Sequence, residues 1–224
     1  MNKIFRAKQL GRIFSTAIVT AGVMLFVTEN VNASTTYTFS GSIYAVDTGV
    51  NSQFNELQTV TGSYTVDTTS IGSLSGDTTY YAGALTSFNA TIGNYAVSLG
   101  SSSTNRIDVV NNGTYDRYIV EIWNPAGSPV NGNAPSMFSF SLDDPTGSVL
   151  SNNSVQQSAS TLNSFSSRSG NIDFGTNVNP IRATFSVDNN MTASPVPVPG
   201  AALLLGSGLA GLAGLRRKKK SATA

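Results

Sequence analysis

Cysteine and histidine are both absent from this 224-residue chain. Without thiols no disulfide can form, so packing alone must hold the fold. Without histidine the usual general base of hydrolytic triads is missing, and without either residue type the common zinc sites are excluded. Positive charge is also scarce away from the ends. Nine of the thirteen cations are Lys3, Arg6, Lys8, Arg12, Arg216, Arg217, Lys218, Lys219 and Lys220, leaving Arg106, Arg117, Arg168 and Arg182 for everything between. Of the twelve acidic residues only Glu29 belongs to the N-terminal end. The middle of the chain is therefore acidic, which excludes electrostatic binding of nucleic acid or anionic lipid. No cofactor, metal or catalytic group is called for, and the expected class is non-enzymatic.

The two ends carry the strongest patterns. At the N-terminus the four cations precede an apolar run at about 13–27, and Val31, Asn32 and Ala33 place small or aliphatic residues where a signal peptidase reads them. The expectation is a signal peptide over 1–33, cleaved between Ala33 and Ser34, with an uncleaved N-terminal anchor as the alternative. At the C-terminus Pro195, Pro197 and Pro199 alternate with Val196 and Val198, so helix cannot propagate back through them. An uncharged Gly/Ala/Leu segment over 200–215 follows, then the five-cation tail Arg216, Arg217, Lys218, Lys219 and Lys220. About 16 helical residues rise roughly 24 Å, short of the roughly 30 Å of an average hydrocarbon core. Snorkelling Lys and Arg stems lengthen the effective span and favour the cytoplasmic side, which places the preceding domain outside. Gly206, Ala210 and Gly214 make a small-residue stripe on that helix. A plain tail anchor or a buried helix are the alternatives.

The order proline run, Gly/Ala/Leu segment, basic tail resembles the PEP-CTERM sorting signal of Gram-negative bacteria. Here Pro197-Val198-Pro199 stands where that family has Pro-Glu-Pro. The resemblance implies recognition by exosortase, a membrane-embedded transpeptidase-like enzyme, after passage through the general secretion machinery and signal peptidase. It also implies transient anchoring in the inner membrane through the C-terminal helix, residence in the cell envelope or outside the cell, and association with exopolysaccharide or biofilm matrix. The middle is similar to exported members of the family in a strand-loop-strand pattern, Thr61-Gly62-Ser63-Tyr64-Thr65-Val66-Asp67 followed by Tyr80-Tyr81-Ala82-Gly83-Ala84-Leu85-Thr86-Ser87-Phe88-Asn89-Ala90-Thr91-Ile92-Gly93. No catalytic residue comes with that similarity.

The expected organisation is thus a signal peptide (1–33), an ectodomain (34–193) and a sorting signal (194–224). About 160 residues suffice for one domain with a real core. Apolar residues recur there with period two, as in Tyr37, Phe39, Gly41, Ile43 and Ala45. Strand patterns fall at 37–45, 60–66, 85–92, 95–99, 106–110, 117–123, 137–142, 171–174 and 181–187. Gly93-Asn94 and Asn112-Gly113 read as hairpin turns, making neighbours antiparallel. The fold class is all-β, an antiparallel sandwich of jelly-roll or Greek-key type, with a signal helix before it and a transmembrane helix after it. The stretch 67–79 reads as a flexible connection, and 146–170 as a long Ser/Asn/Gln-rich connection with one irregular strand around 160–165.

Candidate chemistry is thin. Trp123, the sole tryptophan, ends a strand before Asn124-Pro125 and reads as a packing residue or a platform for a sugar ring, with Tyr80, Tyr81 and Tyr115 as further stacking candidates. Asp143-Asp144-Pro145, Asp47, Asp67 and Asp77 lie at predicted turns, either as capping carboxylates or as oxygen ligands for Ca²⁺ if the fold gathers them. Glu56 and Glu121 raise a carboxylate-dependent glycosidase as a distant alternative. Within the expected ectodomain four Asn-X-Ser/Thr sequences, beginning at Asn89, Asn112, Asn152 and Asn190, are expected by chance in so Asn- and Ser-rich a chain. Two functions lead: a non-enzymatic surface or matrix protein, and a carbohydrate-binding module.

Overall fold

The structure is a computed structural model that describes residues 34–176 and 178–196. The expected signal segment, Pro197, Val198 and Pro199, the apolar segment 200–215 and the basic tail lie outside the described residues. Among the described residues no helix is long and apolar enough to cross a membrane.

Thirteen strands and one short helix make up the described fold: β1 (Ser34–Val46), β2 (Thr59–Asp67), β3 (Ser73–Ser75), β4 (Thr78–Ala82), β5 (Leu85–Ile92), β6 (Tyr95–Ser98), β7 (Thr104–Asn111), β8 (Asp116–Trp123), β9 (Ala126–Gly127), β10 (Pro135–Asp144), α1 (Ala159–Asn163), β11 (Ser167–Phe174), β12 (Ile181–Val187) and β13 (Thr192–Pro195). All strands join one antiparallel sheet in the order β3-β4-β7-β8-β10-β11-β12-β1-β2-β5-β6-β9, with β13 beside β1. The nine period-two runs are all strands. β8 shows why: Tyr118, Val120 and Ile122 are buried, while Arg117, Ile119, Glu121 and Trp123 are half-buried on the other face.

The sheet curls so that its inner face closes on itself. Phe138 of β10 meets Phe39 of β1, Phe88 of β5 and Phe185 of β12 at ring-centroid distances of 6.2, 4.8 and 5.3 Å. Each such buried ring contributes roughly 1.5–3 kcal/mol of apolar burial. Where β5 comes near β7 the seam is closed by a side chain acting as backbone. Asn105 Oδ1 accepts from Leu85 N (2.9 Å), its Nδ2 donates to Leu85 O (3.2 Å), and its own carbonyl accepts from Gly83 N (2.8 Å). Two cross-strand pairs set a phenylalanine opposite a glycine, Phe39 with Gly62 and Phe185 with Gly170. A Cβ at Gly62 would lie 2.3 Å from Phe39 Cζ, and one at Gly170 would lie 2.4 Å from Phe185 Cζ, so each ring uses the space its partner leaves free.

The expected turns form where glycine supplies positive φ, at Gly93 (φ 59°) and Gly113 (φ 75°). Other expectations are corrected. The connection 67–79 contains β3 and the start of β4, whose Thr79 and Tyr81 are buried. The irregular strand expected near 160–165 is α1 instead, because Ser158 caps it by accepting from Thr161 N at 3.0 Å. The expected domain boundary after Ala193 falls inside β13, which pairs Ala193 with Tyr37 and Pro195 with Thr35.

The long connection is not loose surface. Its extended part runs across the inner face as a strap, and three tyrosine hydroxyls from three strands donate to alternate carbonyls along it. Tyr81 bonds Asn153 O (2.6 Å), Tyr118 bonds Val155 O (3.1 Å) and Tyr37 bonds Gln157 O (2.7 Å). Burial pushes the Tyr37 phenol up to about 12, so it stays a donor throughout the physiological range. Arg168 fastens the far end, donating to the carbonyls of Leu162 (2.6 Å), Val187 (3.0 Å) and Asp188 (2.6 Å).

Candidate functional site

The strongest gathering of polar and aromatic groups lies on the outer face of β4, β7 and β8. Ladder register sets Arg106 opposite both Ala82 and Glu121, Tyr80 opposite Asp108, and Thr104 opposite Trp123. The Arg106 guanidinium carbon therefore sits 5.1 Å from the Tyr80 ring centre and 5.2 Å from that of Trp123. Such cation–π contacts contribute about 0.5–1 kcal/mol each where solvent reaches them. Its Nη2 donates to Glu121 Oε2 at 2.8 Å, and its Nε lies 2.7 Å from Asp108 Oδ1 in an ion pair too oblique to count as a hydrogen bond.

Burial raises the Asp108 and Glu121 carboxyls above their ordinary range, with Arg106 opposing the rise in both. Among the described residues Arg106 is the only cation contacting this pair, so the patch holds two acids against one base. Chemically it offers two half-exposed aromatic rings fixed by a charge between them, with carboxylate oxygens alongside. That is the equipment for stacking on a sugar ring and accepting from its hydroxyls.

A smaller copy of the arrangement sits one strand further on. Arg117 of β8 lies 5.0 Å from the Tyr115 ring centre, and both donate to Asp143 of β10. Burial works against ionisation of Asp143, but donors from Ser141, Tyr115 and Arg117 hold its carboxyl below the ordinary range. A third pair, Arg182 with Asp173 at 3.2 Å, continues the series onto β12 and β11.

The sequence candidates divide accordingly. Tyr80 and Trp123 share the patch. Tyr81 does not: strand alternation turns it inward, where it is buried and bound to the strap, so it cannot stack on an external ring. The residue that unites the patch, Arg106, carried no signal of its own beyond being one of four cations in the middle of the chain. Glu56 is exposed on the loop before β2, whereas Glu121 is on β8 beside Arg106. Among the described residues no group of three or more acidic side chains is placed to hold a metal ion. Asp47 accepts from Arg182 N (2.9 Å) and Asp67 from Thr69 N (2.9 Å), so both serve local backbone.

Of the expected processing residues, Ser34 opens β1, Pro195 closes β13, and Val196 N donates to Ser34 O at 3.0 Å. Beside them is a surface groove of about 500 Å³ lined by Thr35, Gln156, Ser158, Ser160, Ala193 and Pro195. The fold and this surface define an all-antiparallel β-domain with an arginine-centred aromatic patch on one outer face and the start of β1 paired with the end of β13. Comparison with known proteins finds no matching family model, curated protein or solved structure.

Proposed function

We propose that this chain is an exported, non-enzymatic cell-surface or matrix protein, processed by signal peptidase and sorted by an exosortase through its C-terminal signal. The observation that carries the reading is the contact between Ser34 and Val196. The residue expected to follow signal cleavage and the residue entering the proline motif are hydrogen-bonded neighbours, so both targeting segments leave the domain at one place. A domain built this way is complete between its two processing points and can be released from both without losing a strand. The ectodomain is read as a β-sandwich formed by the curled sheet, supported by the face-to-face packing of β10 on β1 and β5. Intact mass of the protein recovered from its native host tests the sorting. The expected species starts at Ser34 and lacks the segment after the proline motif; a chain retaining 200–224 overturns it in favour of a plain membrane anchor.

A carbohydrate-binding role is the second reading, favoured by Tyr80 and Trp123 held on either side of Arg106. In this reading the domain brings exopolysaccharide to the envelope. Binding to the host's own polysaccharide is expected to fall at least about tenfold in Trp123→Ala, the loss of one stacking ring of about 1–3 kcal/mol. Equal binding by wild type and variant would remove the patch from consideration.

A further inference from the structure

The geometry points to a Ca²⁺ site between Asp116 and Asp144, at the end of the β8–β10 ladder and away from the outer patch. The two residues are direct cross-strand partners. They lie on the same side of the sheet as Tyr118 and Leu142, the inner face, and are 0 % and 4 % exposed. Like charges opposite one another on a ladder repel, and burial enlarges the cost.

Their hydrogen-bond donors are all neutral. Asp116 Oδ2 accepts from Val149 N (2.9 Å) and Leu150 N (2.7 Å). Asp144 accepts from Thr146 N (3.1 Å), Thr146 Oγ1 (2.8 Å to Oδ1, 2.9 Å to Oδ2), Ser148 N (2.9 Å) and Ser148 Oγ (3.3 Å). The four arginines of the described residues are engaged elsewhere: Arg106 with Asp108 and Glu121, Arg117 with Asp143, Arg182 with Asp173, and Arg168 with three carbonyls.

Asp116 Oδ1 is buried with no donor at all. Its other oxygen is bound by the loop 145–150, the same loop whose N–H groups bind Asp144, so one loop holds both carboxylates and the orphan oxygen lies on one of them. The side-chain atoms gathered there are the carboxylate oxygens of Asp116 and Asp144 and the hydroxyls of Thr146 and Ser148, with no nitrogen or sulfur side chain among them. That set suits a hard cation of flexible coordination, and Ca²⁺ takes six to eight oxygens without demanding a fixed octahedron. The loop is seated firmly. A Cβ at Gly147 would lie 2.4 Å from Thr114 N and 2.5 Å from Gly113 C, so the turn between β7 and β8 forms its floor. The same loop leads into the strap held by the tyrosines, and the ion thereby locks the strap's entry.

The test uses full-length protein stripped with EGTA and titrated with CaCl₂ by calorimetry and thermal denaturation, with MgCl₂ in parallel. One Ca²⁺ per chain is expected, with the Kd of about 10⁻⁴–10⁻³ M typical of extracellular sites and a Tm rise of about 3–10 °C at millimolar excess. Asp116→Asn should abolish both responses, whereas Asp143→Asn, on the outer face of the same strand end, should keep them. Absence of saturable Ca²⁺ binding by the wild type, or a full response in Asp116→Asn, overturns the site. Hydrogen exchange on the wild type decides it without a variant: Ca²⁺ should slow exchange at Ser148, Val149 and Leu150, and unchanged exchange there places any bound ion elsewhere.

Discussion

The outer surface of the sheet is built by two different chemistries on its two halves. Across β1 and β5, and along β2 as far as its last residue Asp67, no side chain is charged. Polar satisfaction there comes from hydroxyls meeting across the ladder: Thr36 with Thr65 at 2.8 Å, Thr38 with Thr192 at 2.7 Å, and Ser87 with Thr65 at 2.8 Å. From β7 to β12 the outer face instead carries Arg106, Arg117 and Arg182, each beside one or two carboxylates. A hydroxyl both donates and accepts, so its partners are interchangeable and the face specifies little. An ion pair fixes a particular neighbour, and aromatic rings collect around the guanidinium, so only the charged half acquires a defined patch. Strand period two is common to both; identity at the outward positions separates scaffold from candidate site.

The comparison breaks most completely where the halves share a core. Phe138 touches rings from both, so Phe138→Ala should cost about 3–5 kcal/mol, collapse the cooperative transition measured by urea unfolding, and affect amide protection in β1 as much as in β8. A loss of protection confined to β8 and β10 would mean that the halves are separate units. Gly62→Val and Gly170→Val probe each half by itself, since both push against a facing phenylalanine; about 1–3 kcal/mol of overpacking is expected from each. Arg168→Met comes next. It leaves the carbonyls of Leu162, Val187 and Asp188 without their donor, with an expected loss of about 1–3 kcal/mol and faster proteolysis of the strap.

The strand halves were legible in the sequence because alternation at Leu85 to Ile92 or Ile181 to Val187 reports a half-buried strand directly. β4 was legible in principle, since Thr79 and Tyr81 alternate with Thr78, Tyr80 and Ala82, but the preceding Gly- and Ser-rich stretch hid it. The same alternation separates Tyr80 from Tyr81. What period two cannot report is strand order. Arg106 meets Trp123 because β7 lies beside β8, and Tyr80 because β4 crosses to the far side of β7, a placement fixed by long-range packing. The strap was hidden for the same reason: its carbonyls are bound by tyrosines from β1, β4 and β8, while its own side chains look like those of an exposed loop.

Acid titration sharpens the contrast, because apart from Asp67 at the end of β2, held low by Thr69, only one half should respond, and it should do so in two opposed senses. Asp143 is depressed in the folded protein, so its stabilisation is present above the unfolded carboxyl value of about 4 and disappears as pH falls through the lower native value. Asp108, Glu121 and Asp173 are raised, chiefly by burial. The folded state binds their protons more readily, so their effect favours folding below the unfolded value and is lost as pH rises through the native one. Asp143→Asn should therefore cost under about 1 kcal/mol at neutral pH, since the side chain of Arg117 is 40 % exposed, and nothing once the wild-type carboxyl is itself protonated. Asp108→Asn should flatten the opposing slope. On the hydroxyl half Thr65→Val removes two cross-strand hydroxyl contacts that water and neighbouring hydroxyls can replace. Its expected cost is about 0.5 kcal/mol or less, identical at pH 4 and pH 7 and at low and high salt. A pH- or salt-dependent loss in Thr65→Val would show that this face feels charge from across the sheet, and the division between the two halves would fail.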